Sequence, residues 1–489
     1  MSFTSVAFLL FLPIIWSAYW LLRSSRRWQN ALLVAASYFF YGYWDWRFCG
    51  LMLASSLIDF AIGRALHAAE SPAVRRAWLW ASIGCNLGLL GFFKYFNFFL
   101  DGFRQLLELF GMNAHPAALL IILPVGISFY TFQTLSYTID IYRGRLKARD
   151  SLLDYLAFVS FFPQLVAGPI ERASRLLPQF ETPRSWSTPE FQQGCRRVLW
   201  GLFKKIVIAD TLAEIVVATY ANPAQASGTE LAVATVLFSF QIYCDFCAYS
   251  DIAIGVAKMF GIQLSRNFAY PYFSQSMWEF WQRWHISLSS WFRDYVYIPL
   301  GGNREGHWQQ RRNVVATFLL SGLWHGAAWR FLAWGGLHGV ASLGLRPREP
   351  QRHEFELSRP GGDGLLPSPL ALVRMLLTFG CVSLLWVFFR ADSLSDSWLI
   401  VETMALDAWN PAGLQMLARE YWAGGPIYLA ANLVAALVLV EWCRRNVECP
   451  LEIGHWPEPL RWSVYTTVFW LVVQFADKTQ HSPFVYFQF

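Results

Sequence analysis

Long apolar runs, separated by short clusters of arginine and lysine, follow one another along almost the whole chain. Runs at about 3–22, 30–44, 48–66, 78–99, 119–141, 198–220, 231–260, 370–389, 426–443 and 462–476 carry few charges. Most approach the ~20 residues that a helix needs to cross ~30 Å of hydrocarbon. The pattern predicts an all-α polytopic membrane protein with about 11–12 transmembrane helices, counting one segment that enters and returns. The first run has no positive charge before it and Arg23, Arg26 and Arg27 after it. A cleaved signal peptide would carry its positive charge first, so this run reads as a retained span with an outer N-terminus. Arginines at 64, 75 and 76, and the basic cluster Arg143, Arg145, Lys147 and Arg149, then mark inner loops. Arg184, Arg196, Arg197, Lys204 and Lys205 are read as further inner-side charges.

Four stretches depart from the simple pattern. Residues 100–116 are amphipathic and fit the outer interface. Residues 151–169 are apolar but end in Pro163, Gly168 and Pro169, which oppose a straight helix and suggest a re-entrant or partly buried segment. Residues 271–312 are too rich in charge, glycine and proline for an ordinary span, and a helix over 276–293 would put Trp281, His285 and Ser289 on one stripe. Segment 313–345 has arginines at both ends, so it is expected to go in and come back, turning near Gly326 and leaving His325 deep in the protein. The polar stretch 346–368 reads as an inner loop, and the C-terminus falls outside.

Composition agrees: 55% of residues are hydrophobic and only 15% charged, against about 25% charged in a soluble chain. The 25 tryptophans often sit near the ends of the runs, as an interfacial belt requires. A net charge of +6 gathered in short loops reports topology and gives no ground for nucleic-acid binding. The eight cysteines form no disulfide framework; Cys244 and Cys247 read as small packing residues within a span.

The candidate chemistry lies between Tyr243 and His338, where ionisable residues stand among tryptophans and apolar runs. Buried ionisable groups in a membrane protein point to function unless they are paired. His325 is flanked by Gly322, Gly326 and Ala327, which permit close approach of a ligand or another backbone. Its plainer reading is a histidine capping a carbonyl at a helix break. His285 also reads as an interfacial histidine, His338 as a packing position and His307 as a loop residue. Asp245 and Asp251, six apart, do not share a helical face; one of them is expected to neutralise Arg283 or Arg293. The spacings offer no metal site, P-loop or nucleophile elbow.

Several motifs then occur in one order: Leu123-Pro124-Val125-Gly126, Phe162-Pro163-Gln164-Leu165-Val166-Ala167-Gly168-Pro169, Tyr243-Cys244-Asp245-Phe246 with Tyr249-Ser250-Asp251, Trp284-His285-Ile286-Ser287-Leu288-Ser289, Leu323-Trp324-His325-Gly326, and the terminal Phe484–Phe489. Together they resemble the membrane-bound O-acyltransferase (MBOAT) family, of the AlgI-like polysaccharide O-acetyltransferase type, with the D-alanyl transferase DltB as a more distant relative. The resemblance implies one integral-membrane domain over 1–489, with a catalytic core at about 120–345 and helices around a central tunnel. It implies transfer of an acetyl group from a cytoplasmic thioester, acetyl-CoA, to an extracytoplasmic polysaccharide such as alginate, cellulose or peptidoglycan, with no bound cofactor or metal. His325 would be the catalytic base at the narrowest point and His285 a supporting residue nearer the inner side. Tyr486, in the terminal aromatic motif, would carry the acyl group transiently. The implied setting is a bacterial inner membrane, with membrane lipids, a periplasmic SGNH-type serine acetyltransferase and polysaccharide synthesis machinery as partners. A lipid-linked sugar transporter or flippase would also suit intramembrane acids, but the inverted repeats it predicts are not visible. A non-catalytic scaffold would not need both histidines.

Overall fold

A computed structural model describes residues 1–112, 119, 121–304, 306–344, 364–476 and 484. Tyr486 and most of the expected inner loop at 346–368 lie outside the described residues. Every regular element among the described residues is helical. Among the described residues, five helical segments are long and apolar enough to span a membrane: Arg47–Ala68, Pro72–Leu109, Gly228–Met259, Pro369–Arg390 and Pro426–Cys443. That is fewer than the number of apolar runs: those at 3–22 and 119–141 form helices of 16 residues each, and those at 30–44 and 462–476 lie in helices of 20 and 19 residues that are less apolar. The chain divides into two compact units, one of Met1–Cys195 with Ala253–Ser265, the other of Arg196–Ile252 with Arg266–Phe489.

In the first unit the helices are α1 (Val6–Leu21), α2 (Arg26–Asp45), α3 (Arg47–Ala68), α4 (Pro72–Leu90), α5 (Phe96–Leu109), α6 (Ile127–Tyr142), α7 (Leu152–Ser160), α8 (Phe162–Leu165) and α9 (Ala173–Glu181). The boundary between the units falls within α10 (Thr188–Leu202) and α12 (Gly228–Met259). The amphipathic stretch expected from residue 100 is not a separate element: α4 runs through a π-helical turn at Gly91–Tyr95 straight into α5. The run at 119–141 becomes helical only at Ile127, since Pro124 and a left-handed Gly126 (φ 79°) precede it. A Cβ on Gly126 would lie 2.7 Å from the Leu165 carbonyl, so glycine is needed there twice over. The expected interruption near Pro163 is present as the break between α7 and α8, where Gln164 Nε2 donates to the Phe158 carbonyl at 2.9 Å. A buried acid, Asp59, holds α3 to α4: its carboxylate accepts from Ser82 Oγ at 2.6 Å and from Asn86 Nδ2 at 2.7 Å. Such donors offset the cost of taking a carboxylate out of water.

In the second unit a π-helical stretch, Phe203–Ala209, leads into α11 (Asp210–Ala221), and α12 follows. Two short helices, α13 (Met277–Arg283) and α14 (Ile286–Phe292), precede a helical hairpin of α15 (His307–His325) and α16 (Trp329–Gly344). The rest are α17 (Pro369–Arg390), α18 (Leu394–Asp407), α19 (Pro411–Trp422), α20 (Pro426–Cys443) and α21 (Glu458–Ala476). The chain reverses between α15 and α16 at Gly326, where the turn of segment 313–345 was expected. The arms of the hairpin meet at glycines: a Cβ on Gly322 would lie 2.2 Å from the Phe331 carbonyl oxygen, and one on Gly335 would lie 2.3 Å from that of Phe318. α18 and α19 carry no run of spanning length and were not expected.

Candidate active site around two histidines

His325 ends α15, and the chain turns at Gly326 because that residue has no room for a side chain. A Cβ there would lie 2.0 Å from the Phe331 ring. The imidazole is 5% exposed. It packs among Trp324, Trp334 and Phe389, with ring centroids 4.9, 5.0 and 5.5 Å away.

His285 is fully buried, not interfacial. The single helix expected over 276–293 is broken there, so Trp281, His285 and Ser289 do not form a helical stripe. The cause is distant in sequence. Asn267 offers its backbone carbonyl to the Ile286 N–H at 2.9 Å and its side-chain oxygen to the Ser287 N–H at 3.3 Å. These amides begin α14, and His285 before them takes a left-handed conformation (φ 44°), uncommon outside glycine. Its Nδ1 lies 3.1 Å from Asn267 Oδ1. Burial pulls the imidazole down to about 3, so the ring is neutral at physiological pH. The Trp324 ring lies 6.1 Å from His285 and 4.9 Å from His325, so one indole touches both.

On its other side His285 meets the Phe246 ring at 4.6 Å, edge on. Phe484, the first residue of the C-terminal aromatic motif, packs on Phe246 at 5.9 Å and on Tyr249 at 4.9 Å. The terminal motif therefore begins one ring removed from His285. His338 is fully buried among Trp281 and Trp334 at 5.1 and 4.9 Å, as a packing position would be.

The two acids of α12 do not neutralise Arg283 or Arg293. Arg283 pairs with Glu279 at 2.9 Å, and Arg293 with Asp294 at 2.8 Å. Asp251 takes Arg197 Nε at 2.9 Å and Lys204 Nζ at 2.6 Å, while Asp245 pairs with Lys205 at 2.8 Å. Lys205 also holds Asp210 at 2.7 Å. Arg197, Lys204 and Lys205 are thus buried partners and not loop charges. Local sequence hides the pairs with Asp245 and Asp251, because their members lie 40 or more residues apart, and the two lysines stand in the π-helical stretch at 203–209. Glu441, near the end of α20, joins them: it accepts the Tyr243 hydroxyl at 2.9 Å. A cavity of about 10 Å³ lies between Lys204, Tyr243, Cys247, Asp251 and Glu441, room for roughly one water. Cys247 is a free thiol whose sulfur accepts from Lys204. Among the described residues no cluster of side chains has the make-up of a metal site.

What this geometry can do is proton transfer by buried neutral imidazole in aromatic surroundings that exclude water. Comparison with known proteins agrees. A family model described as MBOAT, membrane-bound O-acyltransferase family, matches residues 145–345, which include both histidines. A Pseudomonas putida protein named "Probable alginate O-acetylase AlgI" is 36% identical across all of both chains. The Pseudomonas aeruginosa protein of the same name is 41% identical over 89% of this chain and 81% of its own. A "Peptidoglycan O-acetyltransferase" of Helicobacter pylori is 34% identical over 84% of this chain and 80% of its own. Spanning helices, paired buried histidines and end-to-end similarity lead to one conclusion: the chain belongs to the membrane-bound O-acyltransferase family and is a membrane-embedded acyltransferase.

Proposed function

We propose that this enzyme O-acetylates an extracytoplasmic polysaccharide, drawing the acetyl group from a cytoplasmic thioester, acetyl-CoA, across a bacterial inner membrane. The choice of acetyl over D-alanyl is supported by relatives named for O-acetylation at high coverage. Alginate and peptidoglycan are the polymers those names carry, and cellulose belongs to the same chemical class. A periplasmic SGNH-type serine acetyltransferase and the polymer's synthesis machinery would complete the pathway. The whole chain acts as one catalytic domain in this reading.

His325 serves as general base. It takes the proton of an acceptor hydroxyl as the oxygen attacks the thioester carbonyl carbon; the C–S bond then breaks and the thiol departs with that proton. Such proton transfer contributes about 10²–10⁴-fold. His285 supports it from across Trp324. The first acceptor is the Tyr486 phenol, ordinarily of pKa about 10 and so in need of a base. The aryl acetate formed is reactive enough to acylate the serine of a periplasmic partner. The observation that carries this reading is the chain of rings linking His325 through Trp324 to His285, then through Phe246 to Phe484, two residues before Tyr486.

The test is transfer from radiolabelled acetyl-CoA by the purified protein in lipid nanodiscs, with mass spectrometry of the C-terminal peptide. Acetyl on Tyr486 is expected, and Tyr486→Phe should abolish it together with polymer acetylation. Normal polymer acetylation by that variant would leave the terminus a mere interfacial anchor. Absence of any transfer or hydrolysis by the wild-type protein would favour a transporter or scaffold instead.

A further inference from the structure

We infer that Asn267 is a positioning residue that fixes the tautomer of His285, placing the ring proton on Nδ1 and the lone pair on Nε2. This rests on the reading that acyl transfer takes place around the two histidines.

The hydrogen bonds decide the assignment. Asn267 is 1% exposed, and its Oδ1 lies within hydrogen-bond distance of three groups: His285 Nδ1 at 3.1 Å, Ser287 Oγ at 2.9 Å and the Ser287 backbone N–H at 3.3 Å. A backbone N–H can only donate, so the atom facing it is an acceptor, and the amide cannot be turned round. Its Nδ2 is engaged at the other end, donating to Ser250 Oγ at 3.0 Å. An amide oxygen has no proton to give. His285 Nδ1 must therefore carry the hydrogen, and in the neutral ring Nε2 is then an acceptor. The same residue clamps the backbone, since the Asn267 carbonyl accepts the Ile286 N–H and holds His285 in its left-handed conformation.

A function follows from the tautomer. A neutral His285 can take a proton or accept a hydrogen bond through Nε2, but it cannot supply one from that atom to a departing thiolate. It supports His325 as a hydrogen-bond acceptor only, and the proton that leaves with the thiol is the one His325 has taken from the acceptor hydroxyl. The sequence gives little sign of this, since Asn267 lies eighteen residues before the histidine it serves.

The ionisable groups on the elements packed round His285 are largely compensated. On α12, Asp245 is paired with Lys205, Asp251 with Arg197 and Lys204, and Tyr243 bonds Glu441. On α13, Glu279 and Arg283 pair with each other; after α14, Arg293 pairs with Asp294; His325 ends α15. A new carboxylate at 267 would thus be a strong local perturbation.

The test uses the full-length protein in nanodiscs. Asn267→Asp keeps an acceptor at Nδ1 but adds charge, which favours the imidazolium. The acid limb of its acetyl-transfer pH profile should move up by about one to three pH units, with activity recovered on the alkaline side. Asn267→Ala should lower kcat while KM for acetyl-CoA stays within about twofold. A lower plateau with an unmoved acid limb in Asn267→Asp would mean that the residue is only structural, overturning the inference. A second readout needs neither activity nor a variant at 267. Histidine ring ¹⁵N spectra, with His285→Gln identifying the signal, should give a pyrrole-type Nδ1 and a pyridine-type Nε2. The opposite pattern would refute the tautomer. If the wild type transfers no acetyl group, the proposed function fails, and the ring spectrum still decides the role of Asn267.

Discussion

Gly322→Ala adds one methyl group at the tightest point of the α15–α16 hairpin. Its Cβ would sit 2.2 Å from the Phe331 carbonyl oxygen, 3.0 Å from the carbonyl carbon and 3.3 Å from Gly335 Cα. Ordinary contact begins near 3.4 Å, so the overlap is about 1.2 Å against backbone, which no rotamer change relieves. The arms must part, and His325 lies one turn beyond residue 322 while Trp334 lies on the opposing arm. Overpacking of this kind costs about 1–3 kcal/mol, tolerable for a folded membrane protein. A shift near 1 Å at a reacting group, however, can cost about 10²-fold in rate. Gly344→Ala is the control, since nothing lies within 4 Å of a Cβ there. The assay is acetyl transfer in nanodiscs, paired with a thermal melt. The expected result is a melting point lowered modestly and a rate lowered about a hundredfold for Gly322→Ala, with Gly344→Ala unchanged in both. A Gly322→Ala enzyme within threefold of wild type would refute the claim that hairpin spacing sets the position of His325.

Three further outcomes are expected. His325→Ala should reduce acyl transfer by about 10²–10⁴-fold with near-normal expression, and His285→Ala should lose less; steady-state kinetics on both will check the ranking. Asp251→Ala strands Lys204, which is nearly fully buried, and leaves Arg197 with Glu448 alone, and should destabilise by about 3–5 kcal/mol. The double variant with Lys204→Met should recover part of that in the same melt. Cysteines placed singly at 64–77, 143–150 and 355 should react with a membrane-impermeant reagent only from the inner face. Labelling of position 355 on intact cells would overturn the assigned topology.

How much was legible in the sequence depended on where the cause of each feature lay. The α15–α16 hairpin could be read locally, because the arginines at 311, 312, 346 and 348 flank one apolar stretch. So could the break after Ser160, where Pro163 forbids a continuous helix, and the turn that leaves His325 at a helix end. The break at His285 could not. Nothing within 276–293 opposes a helix, and the acceptors that start α14 come from Asn267. The same limit hid the ion pairs. Lys204 and Lys205 look like cytoplasmic charges in a linear reading, and only the packing of the 203–209 stretch against α12 makes them partners of Asp251 and Asp245. Glu441 is signalled locally, as an acid directly after the apolar Val438-Leu439-Val440.

Both candidate catalytic histidines stand where a helix stops, His325 at the end of α15 and His285 ahead of α14. In an apolar medium a continuous helix satisfies its own backbone, so only a break offers polar groups to a substrate. A break also leaves amides and carbonyls needing partners, and an ordered break needs them fixed. At His285 the partner is a side chain, Asn267, and its hydrogen bonds leave one tautomer available. At His325 the break is made instead by close packing, with Gly322 and Gly326 admitting Phe331 where any side chain would clash. The two histidines are therefore held by different means, one by hydrogen bonds and one by steric fit. The difference has a testable form. Perturbation at Asn267 should appear in the pH dependence, because it acts on protonation. Perturbation at Gly322 should appear as a loss of rate at every pH, because it acts on distance. A pH-independent loss from the first, or a shifted acid limb from the second, would show that the two supports are not separate.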